Sequence, residues 1–349
     1  MLLVAFAFAI MADLVSSVAY AIEAALETLE QRSGGLGLLL PTMGLVVLVI
    51  AVIVLNYRRV VSRFPEGSGA AAAAGKACGE PWAFVPKGAL IVDFVLTVAI
   101  SVSSGASAIV AYLPNLATDQ VVLALVLLLV IAGITWYGHS ARSLFGFMTA
   151  AFVIAGTVVL ASGFVGAEPA AEAPRGAGEG GGASLAIILL SFPVAMALAT
   201  GVEAPSSAIA QLGQLGNEGR KRFGRITLFA PLVIVGSLTL SITAATVWLG
   251  VGLPSGESID STLIAEVARA SIGSGLLFAT FQAVTALLLL SAGSSAFQAG
   301  PGLLKALARE RTGDDEVAGI LPSWLGRTNR YYTPFWGWSC MRSSRQSSS

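Results

Sequence analysis

Long apolar runs, separated by short polar or Gly/Pro-rich stretches, fill most of this chain, and their length decides what they are. A membrane-spanning helix needs about 20 mostly apolar residues. Eight runs are near or above that length: 2–26, 36–56, 85–113, 120–137, 143–165, 184–213, 226–252 and 273–297. The stretches between them are polar or Gly/Pro-rich, as in "RRVVSRFPEGSG" after the second run and "EPAAEAPRGAGEGGG" after the fifth. The pattern predicts an all-α integral membrane domain over residues 1–304, followed by a cytoplasmic tail over 305–349.

Composition sharpens the picture. Of 349 residues, 55% are hydrophobic and only 11% charged, and the mean hydropathy is +0.81. Soluble domains are about 25% charged, so a chain this poor in charge needs the lipid bilayer as its solvent and first partner. The 39 glycines suit close helix packing in lipid. Formal net charge is zero and the basic residues are parcelled into loops, which excludes a nucleic-acid partner. Cys78 and Cys340 are too few for a disulfide framework or a zinc site. His139 is the only histidine, so a Ser/His hydrolase and a histidine-ligated metal are excluded. No enzyme activity and no cofactor are expected. The opening "MLLVAFAFAIMADLVSS" lacks a basic n-region, which argues against a removed signal peptide.

Orientation follows from Lys and Arg. With the N-terminus inside, the inner loops and tail hold 17 of the 20 basic residues, and the outer loops keep only Arg32, Arg175 and Arg269. Both termini are therefore expected in the cytoplasm, with the protein in the plasma membrane. Trp82, Trp136 and Trp248 fall near span ends, as an aromatic belt requires. Glu23, Glu27 and Glu30, at the outer end of the first run, read as a solvated rim.

Three acids lie inside the runs. Asp13 sits about 17 Å into the first run, near mid-bilayer. Asp93 lies in the inner half of the third, and Glu203 near the centre of the sixth. A charge at such depth costs at least ~2.5–3.5 kcal/mol, and such residues mark ion paths or cavities. No run holds a Lys or Arg near its centre to pair with them. Asp93, Thr97 and Ser101, spaced i, i+4, i+8, form one polar stripe. In "ATGVEAPSS", Gly201 and Pro205 flank Glu203, so the sixth helix is expected to break there. Unwound backbone at that depth must be buried in protein or line a cavity.

The first and sixth runs also echo each other. "ADLVSSVAYAIEA" from Ala12 and "GVEAPSSAIAQLG" from Gly201 both place paired serines three and four residues after a carboxylate. Taken singly, serines such as Ser16 or Ser207 more often bond to backbone or a neighbouring helix than to a ligand. Five runs separate one copy from the other, so the second enters the membrane inverted. Inverted repeats whose broken helices meet at the midplane belong to secondary transporters.

Here a resemblance becomes specific. "MADLVSSVAYAIEAALE" resembles the first span of the amino acid–polyamine–organocation superfamily, and "NYRRVVSRFPEGSGA" the inner loop after its second span. "LIVDFVLTVAIS" is similar to its third span and "FPVAMALATGVEAPSSAIAQLG" to its broken sixth. The likeness runs from about residue 8 to residue 335. It implies a leucine-transporter-like inverted-repeat bundle. Asp followed by Ser-Ser-Val-Ala-Tyr in the first span resembles the superfamily's proton-coupled potassium importers. The resemblance implies that Asp13, Tyr20, Asp93, Thr97, Ser101, Thr200 and Glu203 line a potassium pocket, with Asp13, Asp93 and Glu203 as candidates for the coupled proton. Phe94 departs from the pattern, where a tyrosine is common. The expected function is potassium uptake coupled to protons. The alternatives are an amino acid permease and a non-transporting fragment, and a homodimer is compatible with each. Members of the superfamily carry ten or more spans. After "LPSWLGRTNRYYTPFWG", which resembles the approach to span 9, the chain turns into "WSCMRSSRQSSS". The expectation is a frameshift or premature end that removes the last helices, leaving an aberrant tail after about residue 337.

Overall fold

The apolar runs become helices, though not all of one kind. The computed structural model describes residues 11–32, 34–63, 69–136, 142–166, 181–202, 217–253, 261–312 and 315–318. Residues 11–16 are helical and run on through Ser17, whose backbone stays helical at φ −63° and ψ −23°, into α1 (Val18–Glu30). Then come α2 (Leu39–Arg63), α3 (Gly69–Cys78), α4 (Phe84–Tyr112), α5 (Gln120–Trp136) and α6 (Arg142–Gly166). After these lie α7 (Gly181–Ala195), α8 (Asn217–Leu249), α9 (Leu263–Ile272) and α10 (Leu276–Ala308). A short antiparallel hairpin, β1 (Arg309–Thr312) with β2 (Asp315–Ala318), pairs Arg309 with Ala318 and closes the described chain.

Among the described residues, six of the eight runs form helices long and apolar enough to cross a membrane: Leu36–Arg63, Pro81–Tyr112, Pro114–Trp136, Leu144–Gly166, Ile226–Leu249 and Leu276–Lys305. The first and the sixth are described only in part, from residue 11 and as far as residue 202. The described part of the sixth is α7, a 3-10 turn at Met196–Ala199, and a turn reaching Val202. The sixth run leaves helical geometry at Thr200, with ψ 131°, just before its copy of the repeated motif begins.

Side-chain size decides the packing. On α2, Leu39, Met43, Val46, Ile50 and Val54 recur at helical spacing and face the bundle, whereas Leu48, Val52 and Leu55 face outward. In lipid both faces stay apolar, so close approach rather than hydrophobicity selects partners. Glycines mark those approaches. α4 and α10 form the most extensive helix pair. A methyl group added at Gly293 would come within 3.0 Å of Ile131 Cδ1 and 3.4 Å of Ser101 Cβ, and one at Gly105 within 3.7 Å of Leu289 Cβ. Gly236 of α8 likewise admits Val47 of α2. α5 exposes Val121, Val122, Leu125, Val126 and Leu129 and lies at the periphery.

Two helices were not expected from the apolar runs. α3 occupies the stretch after the second run. α9 occupies the stretch between the seventh and eighth runs; Thr262 caps it by accepting from Ala265 N at 3.3 Å, and Gly273, at φ +70°, ends it. Both are too short to read as spans. α9 also corrects the assignment of Glu23. That carboxylate is half-buried rather than part of a solvated rim, and its Oε2 accepts the Leu263 N–H at 2.8 Å. It thereby satisfies an orphan donor at the start of α9. Arg269 holds the other end of α9, donating to Ala111 O of α4 at 3.1 Å with its guanidinium 5.0 Å over the Phe278 ring of α10. The eighth run also continues beyond its apolar limit, to Ala308.

Two outcomes test this packing. Gly293→Leu should lower the melting temperature of the purified protein, with a loss of about 1–3 kcal/mol for overpacking, while Gly293→Ala should cost much less, since the flexible tip of Ile131 can give way. Glu23→Ala should cost about 1 kcal/mol and raise amide hydrogen exchange at Leu263.

Candidate functional site

The first helix, around Asp13–Ser17, lies against the break at Thr200–Val202. Ser16 and Ser17, both fully buried, turn their hydroxyls back onto the helix: Ser16 Oγ donates to Asp13 O at 2.7 Å and Ser17 Oγ to Leu14 O at 2.7 Å. Such back-bonding loosens a helix locally. Ser17 Oγ also lies 3.0 Å from Leu198 O in the turn after α7, so its single proton is shared between two helices. The paired serines therefore hold backbone and are not aimed at a ligand.

On the opposite side, Gly201 takes φ +80°, a conformation that L side chains rarely adopt. A Cβ there would meet Asp13 Oδ2 at 2.7 Å. The Asp13 carboxylate is packed directly on the sixth-run backbone, at the one residue with no side chain to exclude it. Asp13 is 6% exposed, and its Oδ1 has no hydrogen-bond partner among the described residues.

Of the other expected residues, Tyr20 is buried with its hydroxyl near Thr200, and it lies within electrostatic reach of both Asp13 and Asp93. Thr200 Oγ1 donates to Ala197 O at 2.8 Å and so shapes the turn before Gly201. Asp93 is half-buried and within electrostatic reach of Asp13. Two carboxylates so placed in a medium of low dielectric favour one positive charge between them, a proton or a metal cation. Thr97 and Ser101 are buried with hydroxyls that lack a hydrogen-bond partner among the described residues. Ser101 Cβ lies beside Gly293 of α10. Glu203, Pro205, Ser206, Ser207 and His139 fall outside the described residues.

The structure adds buried polar groups passed over in the sequence. Ser191 of α7, Thr239 and Thr243 of α8, and both amide atoms of Gln282 of α10 are buried without hydrogen-bond partners. The visible signal was slight: a lone polar residue within an apolar run.

Gly201→Ala tests the packing of Asp13 on the break of the sixth run. A Cβ at positive φ and in the path of a carboxylate should cost about 1–3 kcal/mol. The thermal melt of the purified protein should fall accordingly.

Residues 3–341 match a family described as amino acid permease. The chain is also 30% identical over 308 residues to the potassium transporter KimA of Bacillus subtilis (strain 168), an alignment covering 86% of this chain and 49% of that protein. The chain spans about half the length of that curated relative.

Proposed function

The chain belongs to the amino acid permease family, and from that premise we propose that it moves a monovalent cation, potassium, together with protons through the pocket at Asp13. The observation that carries this reading is the Asp13 carboxylate itself. It is buried against the Gly201 turn, with one oxygen unpartnered and a second carboxylate, Asp93, in electrostatic reach. Oxygens are the natural ligands of a hard cation. Asp13 Oδ1 and the Thr97 hydroxyl are buried oxygens without a hydrogen-bond partner among the described residues, and the Tyr20 hydroxyl is buried beside Thr200. In this reading Asp13 and Asp93 attract the cation, Tyr20 and Thr97 complete its shell, and one of the acids, Glu203 included, takes up the coupled proton. The name of the Bacillus relative, a potassium transporter, points the same way. The alternation of basic loops supports cytoplasmic termini for the protein.

Amino acid transport is the second reading, favoured by the family description. A free amino acid presents a carboxylate as well as an ammonium group, and the described pocket offers two acids and no base near Asp13. That difference supports the cation.

Rubidium and amino acid uptake, measured in a host lacking its own potassium importers, separate the two. Asp13→Asn should abolish acid-stimulated rubidium uptake and leave amino acid flux at background. Amino acid flux that depends on Asp13, with no rubidium entry, would overturn the potassium reading and leave the family assignment standing.

A further inference from the structure

The outward face of α2 changes character toward its C-terminal end. Val52 and Leu55 are about half exposed (51% and 50%), as lipid-facing side chains are. One turn on, the same face carries Asn56, Arg59 and Ser62, with Arg58 beside them. These six residues line an open groove of about 480 Å³. The short polar groups are folded back onto the helix, Asn56 Nδ2 onto Val52 O at 2.9 Å and Ser62 Oγ onto Arg59 O at 2.8 Å. The Arg58 guanidinium is held 6.0 Å over the Phe229 ring of α8. Among the described residues neither arginine has a carboxylate partner; the ion pair found there is Arg269 with Glu266.

We propose that this groove binds the phosphate headgroup of an anionic phospholipid, with an acyl chain lying along Val52 and Leu55. The order of side chains along the helix carries the assignment. An apolar surface that turns basic within one 5.4 Å turn matches the boundary between acyl chain and headgroup. A guanidinium fork matches the oxygens of a phosphodiester. A free anion in solution would have no use for the two apolar residues, whereas a phospholipid uses both halves of the groove. Basic pockets beside membrane helices on the cytoplasmic side bind anionic headgroups, the side on which the basic loops place this end of α2, and the assignment is independent of the transported solute.

The test uses the full chain in nonionic detergent, titrated with phosphatidylglycerol or phosphatidylcholine, with bound lipid counted by native mass spectrometry. The wild-type chain should retain phosphatidylglycerol in preference. Arg58→Gln with Arg59→Gln should weaken that retention roughly thirty-fold, from the loss of two basic contacts, and leave phosphatidylcholine unchanged. The charge-matched pair Arg63→Gln with Lys87→Gln should have little effect. Leu55→Trp, which narrows the apolar half without altering charge, should also reduce retention, and it keeps the proposal testable if the double arginine variant fails to fold. Equal losses in both charge-matched pairs would reduce the effect to general membrane electrostatics and overturn the proposal. Displacement of the lipid by millimolar inorganic phosphate alone, with Leu55→Trp silent, would make the groove a free-anion site and overturn it equally.

Discussion

A carboxylate pressed against a glycine in the left-handed region organises this molecule. Asp13 occupies the place where any side chain at position 201 would stand. Glycine is thus required there twice, once for its backbone conformation and once for the space it leaves. The contact fixes the height of the first helix against the turn of the sixth. No run offers Asp13 a basic partner near its centre, so the acid has to face the bundle interior rather than lipid. The surrounding helices bury it there to 6% exposure.

The arrangement is built from glycines and hydroxyls more than from large side chains. Gly105, Gly236 and Gly293 let α4, α10, α8 and α2 approach closely, and that closeness holds the frame around the first and sixth runs. α9 bridges the bundle at one end, gripped by Glu23 from α1 and reaching α4 and α10 through Arg269. The first, third and eighth runs are therefore tied together at the same end of the bundle, away from the Asp13 contact.

Much of this was legible in the sequence, because in lipid the length of an apolar run nearly determines the element. The six continuous spans followed from that rule. The discontinuity of the sixth followed from Gly201, whose permissive backbone is a local property. Asp13 announced itself as a carboxylate in an apolar run. What escaped was non-local or amphipathic. α9 is too short and too mixed to register as a run, and Glu23 looked solvated because the N–H that it accepts lies 240 residues away. The roles of Ser16 and Ser17 followed the commoner expectation for serines in membrane helices, backbone bonding, over the ligand role their repetition suggested. Ser101 sits on the predicted stripe, yet its neighbour is Gly293, a partner that spacing along one helix does not reveal.

The shared proton of Ser17 has a mechanical consequence. Its hydroxyl reaches Leu14 O within its own helix and Leu198 O across the gap at nearly equal distances. Drawing the two segments apart leaves that hydrogen fully committed to the local carbonyl, so separation strands one acceptor and no donor. Hydrogen bonding therefore ties the two segments together here without trapping a bare hydroxyl should they part.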